Sequence, residues 1–427
     1  MASGLSRLSL SLLSAALLLA GCAIAAPPAD STGQLVTFRV AGQPQLDALL
    51  STGAYDIVQV KGDRVVAIRQ QNATGANAAR ELQSAEASLL DLRTLMEDVD
   101  DQLASFKAKG SEGAYHSYAE AVAELNDLAT RYPELLKTEV LGKSAEGRDL
   151  LAVRLTGKSE TDAAKPRVLI FGLTHAREWI STEVPFHVLN HLLANYGKDP
   201  AVTGIVDGLV LYILPITNPD GLVYSQTKYK MWRKNRNPQG RDVGVDINRN
   251  FPIGWGLGSS AYPSADTYRG PEPASELETR ALISLFEREK FIAALSFHSY
   301  SELVLYSWGY DRALAPDSAE LARRAKAMAD LNGYTPGQVS RILYIAGGGS
   351  DDTFYKTYGA WAFTFELGQE FVPSEDEIPT ICKQNLPSVM KFLQTALETA
   401  RPTPGLSALE SLRVKHFFGL YDIRPAH

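Results

Sequence analysis

Cysteine is almost missing from this chain: Cys22 and Cys382 are the only two in 427 residues. One pair cannot build a disulfide scaffold, so the fold must stand on a hydrophobic core. A basic excess is missing too. Forty-two Lys and Arg face 49 Asp and Glu, a net charge of −7, and no nucleic-acid partner is expected without a positive face to receive it. Beyond the N-terminus no apolar run is long enough to cross a bilayer, and no internal repeat is present. Histidine is scarce, at seven. What is there is 45% hydrophobic and 21% charged, enough for two or three domains with a large core. That composition is also too apolar for disorder to dominate.

Residues 1–26 carry one early cation, Arg7, and an apolar run from Leu8 to Ala20, the pattern of a secretory signal. Two processing sites overlap there. Leu19-Ala20-Gly21-Cys22 resembles a bacterial lipobox, which would make Cys22 a lipid anchor. Ala23-Ile24-Ala25 would serve an ordinary signal peptidase. Both readings place the protein outside the cytoplasm, secreted or in the periplasm or cell envelope. Cys382 is then left as the one ordinary thiol, expected to be buried on a helix.

Residues 27–109 read as a small separate domain plus a connector. Strands at Leu35–Val40, Ile57–Val60, Arg64–Ile68 and Leu92–Glu97, with helices at Pro44–Leu50 and Ala76–Leu90, give the order β-α-β-β-α-β of an α+β open sandwich. The connector ends in Lys107-Ala108-Lys109. Residues 110–400 read as a larger unit. Ser117-Tyr-Ala-Glu120 opens a helix with a capping box, and Ser275-Glu-Leu-Glu278 is expected to do the same. Apolar runs at Val168–Phe171, Leu209–Leu214, Phe291–Phe297 and Ala360–Phe365 alternate with helices. The expected fold is therefore α/β, a mixed, mostly parallel twisted sheet covered by helices on both faces. Residues 401–427 form a tail without an assignable role.

Two histidines stand at the ends of apolar runs, where sites form in open α/β sheets. His175 begins His175-Ala-Arg-Glu178, and His298 closes Ala294-Leu-Ser-Phe-His298. Two imidazoles and a carboxylate suit zinc, with a position left for water; a hydrogen-bonded core histidine remains the other reading of His298. His187 and His191 have zincin spacing, but Val188 stands where a base would be needed, so they read as helix-surface or packing residues. Glu366 ends another apolar strand, a costly place for a carboxylate unless it is paired or faces a site. The long irregular segment from Ser225 to Pro273 supplies Arg233, Asp246, Asn248 and Arg249, and an adjacent amide and guanidinium can grip a carboxylate.

The order and spacing of His175-x-x-Glu178, Arg233, Asn248-Arg249, His298-Ser-Tyr300, Tyr344 and Phe363-Thr-Phe-Glu366-Leu resemble the zinc metallocarboxypeptidases of the pancreatic A/B type. Gly142-Lys-Ser-Ala-Glu-Gly-Arg148 and Thr217-Asn-Pro-Asp-Gly221 are smaller matches. The resemblance runs from about Tyr115 to Ala400. Gln34–Val40 and Leu95-Met-Glu-Asp-Val99 look like pieces of that family's inhibitory pro-domain. The resemblance implies an exported bacterial exopeptidase that binds one Zn2+ per chain through His175, Glu178 and His298, and releases single residues from peptide or protein C-termini. It implies that Glu366 is the general base toward water on the zinc, that Arg233 stabilises the oxyanion, and that Asp246 orients the first zinc histidine. Asn248 and Arg249 would clamp the terminal carboxylate, Tyr344 would close over it, and Arg177 would be an outer substrate contact. Asp351, seven residues after Tyr344, would floor the side-chain pocket and favour C-terminal Lys or Arg; the other reading is that Ser350 and Asp351 cap a helix. The pro-domain implies latency and an activating protease at Lys107 or Lys109.

Departures are the string Leu367-Gly-Gln-Glu370 after the base and the lack of the animal enzymes' disulfides. A runner-up enzyme keeps the fold and acts on peptidoglycan peptides or another amide. Intact Asn248, Arg249 and Tyr344 favour ordinary C-termini instead. A non-catalytic binding module is disfavoured by the complete set of ligands and base.

Overall fold

An eight-stranded sheet runs through the larger unit in the order β13-β12-β14-β11-β7-β8-β6-β5. The computed structural model describes residues 34–40, 55–61, 64–69, 95–97, 114–157, 162–240 and 242–399. Its strands are β1 (Gln34–Arg39), β2 (Tyr55–Lys61), β3 (Arg64–Arg69), β4 (Leu95–Glu97), β5 (Leu136–Lys143), β6 (Asp149–Leu155), β7 (Arg167–Phe171), β8 (Val210–Leu214), β9 (Pro238–Gln239), β10 (Asp242–Val243), β11 (Ala293–His298), β12 (Leu303–Tyr306), β13 (Thr335–Gln338) and β14 (Trp361–Glu366). The signal segment with Cys22, the helices expected at 44–50 and 76–90, residues 107–109 and the tail 401–427 lie outside the described residues.

The four central strands β14, β11, β7 and β8 are parallel neighbours. β6 and β5 continue antiparallel on one side. On the other, β12 pairs antiparallel with β14 and parallel with β13. The central strands are the continuous apolar runs of the sequence, and β7, β8 and β11 are buried almost throughout, as strands covered on both faces must be.

The two-residue period decides which helix each face meets. Register sets Phe171 beside Ser296, and Ser296 beside Thr364. On that face Phe171 meets Phe354 of helix Ser350–Tyr358 at 6.1 Å, and Phe354 stacks at 3.8 Å on Phe286 of helix Leu277–Glu289. On the opposite face Phe363 meets Phe392 of helix Ile378–Thr399. Burying each such ring is worth about 1.5–3 kcal/mol. Cys382 is buried on that last helix, as expected.

The capping box at Ser117 forms. Its side chain accepts from the Glu120 amide, and the Glu120 side chain accepts from the Ser117 amide. The one expected at Ser275 does not. Helix Leu277–Glu289 has Glu276 at its N-cap with no side-chain cap bond, because the Ser275 hydroxyl is taken by Asn250 and Glu276. Toward the N-terminus, β2-β3-β1-β4 form a separate antiparallel sheet, which contains the four strands expected there.

Candidate metal centre and substrate cleft

Three adjacent parallel strands deliver the chemistry at their carboxyl ends. β7 runs into the loop that carries His175 and Glu178, β11 ends on His298, and β14 ends on Glu366. In the β11–β14 register His298 is the direct partner of Glu366. Since residues two apart share a face, Thr364 and Glu366 point to the same side as Ser296 and His298.

His175, Glu178 and His298 are buried and converge. Glu178 Oε1 lies 2.7 Å from His175 Nδ1 and Oε2 lies 2.9 Å from His298 Nδ1. The two Nδ1 atoms are 3.0 Å apart. Burial alone would raise the Glu178 carboxyl, but the two imidazoles hold it well below its usual range. Burial likewise opposes a charge on His298, and Glu178 reverses the effect and raises it. Two ring nitrogens and a carboxylate facing one point fit a divalent cation, and two imidazoles plus one Glu are a zinc donor set. Among the described residues it is also the only group of three His, Cys, Asp or Glu side chains close enough to hold one.

Asp246 stands behind this group. It is fully buried, its Oδ1 lies 3.3 Å from His175 Nε2, and its Oδ2 accepts from Arg233 Nε at 2.9 Å. Burial opposes its ionisation, but Arg233, His175 and Arg249 outweigh that and hold the carboxyl well below its usual range. A carboxylate on the far nitrogen sets the ring's orientation and its basicity toward a metal.

A cleft lined by His175 and Glu178 opens at the donors. Arg233, Asn248, Arg249, Tyr344, Asp351 and Glu366 all line it, so residues 133 apart in sequence meet in one place. The Arg249 guanidinium is buried, donates to the Asn248 carbonyl at 2.9 Å and lies 5.9 Å from the Tyr344 ring. Its Nε is buried without a hydrogen-bond partner. Gly348 has φ +76°, and a Cβ there would strike the Arg249 carbonyl; only glycine lets the 344–350 loop lie so close to the Asn248-Arg249 backbone. Burial pushes the Glu366 carboxyl up to about 8. A bound divalent cation would draw it back down.

Asp351 is buried on the cleft lining. One oxygen, Oδ2, accepts from the Thr364 hydroxyl at 2.6 Å, and Oδ1 has no partner. Burial pushes its carboxyl up to about 6. The helix it belongs to has Gly349 at its N-cap with no side-chain cap bond, so Asp351 is free of the capping duty.

Arg177 is fully buried, with its guanidinium 4.2 Å from the Phe371 ring centroid and 3.2 Å from Asp266. Phe371 lines the cleft. His187 and His191 are half-buried on helix Ile180–Asn195 and take no part in the site. The sequence reading missed Phe371 and Thr364. Phe371 carries no local signal, whereas Thr364 is legible as a polar residue two before Glu366 on an apolar strand.

The zinc carboxypeptidase family profile matches residues 121–388. Carboxypeptidase A2 of Mus musculus is 34% identical over 283 residues, 63% of this chain and 67% of that protein. Carboxypeptidase B of Homo sapiens is 35% identical over 300 residues, 66% of this chain and 71% of that one. The crystal structure of thrombin activatable fibrinolysis inhibitor superposes with a TM-score of 0.72 at 27% identity, covering 86% of this chain and 99% of the other.

Proposed function

The chain belongs to the zinc carboxypeptidase family and is a metallocarboxypeptidase, and from that premise we propose that it is an exported, initially latent enzyme preferring C-terminal Lys or Arg. Zinc at His175, Glu178 and His298, when bound, supplies acidified water and polarises the scissile carbonyl. The chain's own residues do the rest. The Glu366 carboxyl, opening on the cleft beside His298, takes a proton from the attacking water and returns it to the leaving amine. Arg233, aimed by Asp246, stabilises the charge that develops on the carbonyl oxygen. Asn248 and Arg249 hold the substrate's terminal carboxylate; the buried, partnerless Arg249 Nε is the kind of donor an anionic ligand would satisfy. Tyr344 borders the same end of the cleft.

The observation that carries the specificity is the second oxygen of Asp351. A buried carboxylate with Oδ2 held by Thr364 and Oδ1 unpaired is matched by a cationic side chain and left uncompensated by an apolar one. Latency is supported by the extent of the structural likeness. It covers 86% of this chain, more than residues 110–400 can supply, so it reaches into the N-terminal segment.

Four blocked dipeptides ending in Arg, Lys, Phe and Leu test the specificity by kcat/KM. Arg and Lys should lead by tenfold or more, and Asp351→Ile should reverse the order. A chelator should abolish turnover of all four, and added zinc restore it. Wild-type preference for Phe or Leu would remove the pocket assignment while leaving the enzyme class intact.

A further inference from the structure

The buried carboxylate of Glu276 lies outside the cleft, yet it reaches both loops that form one wall of it. It is fully buried. Its Oε2 accepts from Asn235 Nδ2 at 2.7 Å and from Asn237 Nδ2 at 2.9 Å, and its Oε1 accepts from the Ser275 hydroxyl at 2.7 Å. Its own backbone amide donates to Asn250 Oδ1 at 3.1 Å, while Asn250 Nδ2 donates to Ser275 Oγ at 2.9 Å. Asn235 in turn is locked to Val245, accepting from its amide at 2.8 Å and donating to its carbonyl at 3.0 Å.

These contacts end one or two residues from functional groups. Asn235 is two after Arg233, Val245 precedes Asp246, and Asn250 follows Arg249. Among the described residues, the segment from 228 to 276 has little regular structure: the two-residue pair β9–β10, a short 3-10 turn at Ile247–Arg249 and an isolated bridge between Ser260 and Tyr268. A ladder cannot hold such a segment to a fraction of an ångström. A buried, fully hydrogen-bonded carboxylate can.

We propose that Glu276 is a positioning residue. Through Asn235 and Asn237 it sets Arg233, and through its backbone and Ser275 it sets Asn250 and so Arg249, fixing the distance between the oxyanion donor and the carboxylate clamp. This rests on the roles given above to Arg233, Asn248 and Arg249. The zinc donors lie at or just beyond the ends of β7 and β11, and the brace touches them at one remove, through Asp246 behind His175. A displacement of about 1 Å in such a pair costs on the order of 10²-fold in rate.

The zinc-loaded, activated protein and its Glu276→Ala, Glu276→Gln and Asn250→Ala variants should be compared for zinc content, near-UV circular dichroism, kcat and KM on the preferred blocked dipeptide. Glu276→Ala should keep one zinc and lose at least tenfold in kcat/KM. Glu276→Gln, which retains a carbonyl acceptor, should recover part of that loss. Asn250→Ala removes the clamp side of the brace, together with the bonds of Asn250 Nδ2 to the Arg269 and Glu272 carbonyls, and should raise KM at least fivefold with kcat within threefold. Zinc loss together with activity in all three variants, or kcat/KM within twofold of wild type in folded Glu276→Ala and Asn250→Ala, would overturn the brace. If Glu276→Ala does not fold, Asn250→Ala and Glu276→Gln decide by the same limits. Unchanged kcat/KM in Arg233→Ala and Arg249→Ala would overturn the functional reading itself, and the brace with it.

Discussion

Two imidazole nitrogens 3.0 Å apart, each against a different oxygen of one carboxylate, share a space too small for three independent solvated groups. A cation relieves that crowding, whereas removing any one donor leaves the other two without a partner of the right kind. His175→Ala and His298→Ala should therefore lose zinc and activity together. Glu366 is not one of the three converging donors, and the role proposed for it is proton transfer. Glu366→Gln should keep one zinc per chain and lose about 10²–10⁴-fold in kcat. Metal analysis beside kinetics checks this; equal metal loss in all three variants would mean that Glu366 is a ligand. Glu278 is a residue of another kind. It is buried with Oε1 unpartnered, Oε2 accepts from Asn235 at 3.1 Å, and burial pushes its carboxyl up to about 7. A raised carboxyl favours folding fully below its unfolded value near 4.5, and that contribution is lost as pH rises through 7. Glu278→Gln should stabilise the protein by about 2 kcal/mol at pH 8 relative to wild type, and by far less at pH 5. A shift in Tm that is the same at both pH values would contradict the assignment.

At the scale of elements, the start of the catalytic unit is clipped onto helix Ile180–Asn195 by a histidine. His116 Nδ1 lies 2.7 Å from Glu183 Oε2, its Nε2 lies 2.8 Å from Glu124 Oε2, and its ring stacks on Phe186 at 4.3 Å. Burial lowers its affinity for a proton, but hydrogen bonds to Glu124 and Glu183 more than reverse this and raise it to about 10. A raised histidine stabilises the fold fully below about 6.5, and the effect is lost as pH rises through about 10. His116→Ala should cost about 2 kcal/mol at pH 7, and the gap to wild type should narrow at pH 10.5 to what the Phe186 stack contributes. Denaturation of both proteins at the two pH values measures it; a constant gap would leave only packing. The neighbouring Tyr115 adds a second clip, its hydroxyl donating to the Pro373 carbonyl at 2.7 Å and its ring meeting Trp179 edge-on at 5.7 Å.

At the scale of the whole molecule, these clips begin at Tyr115, after the connector. Cleavage at Lys107 or Lys109 would leave them intact, so the catalytic unit should survive loss of everything before them. Limited trypsin treatment of the full chain should raise activity on a blocked dipeptide at least tenfold, with the fragment carrying Tyr115 still folded; exposed connectors are preferred nicking sites. Activity that is full before cleavage and unchanged after it would remove latency from the proposal.

What the sequence determined by itself was whatever a local pattern encodes. Apolar runs of four to seven residues named β7, β8, β11 and β14, because burial on both faces leaves only such runs, and their ends named His175, His298 and Glu366. Ser117-x-x-Glu120 announced a helix start by chemistry confined to four residues. The same pattern at Ser275 misled, since a buried Asn250 and Glu276 outbid the helix for the hydroxyl, and Asn250, 25 residues away, comes into range only through folding. Two short strings matched separately, Gly142 to Arg148 and Thr217 to Gly221, turn out to be one unit: Asp220 accepts from the Ser144 hydroxyl, the Glu146 amide and Arg148. Tertiary structure alone put His116 between Glu124 and Glu183, buried Arg177 behind Phe371, and left one oxygen of Asp351 open. Each depends on contacts between residues 8 to 194 apart, and hydrogen bonding and packing at that separation leave no trace in local spacing.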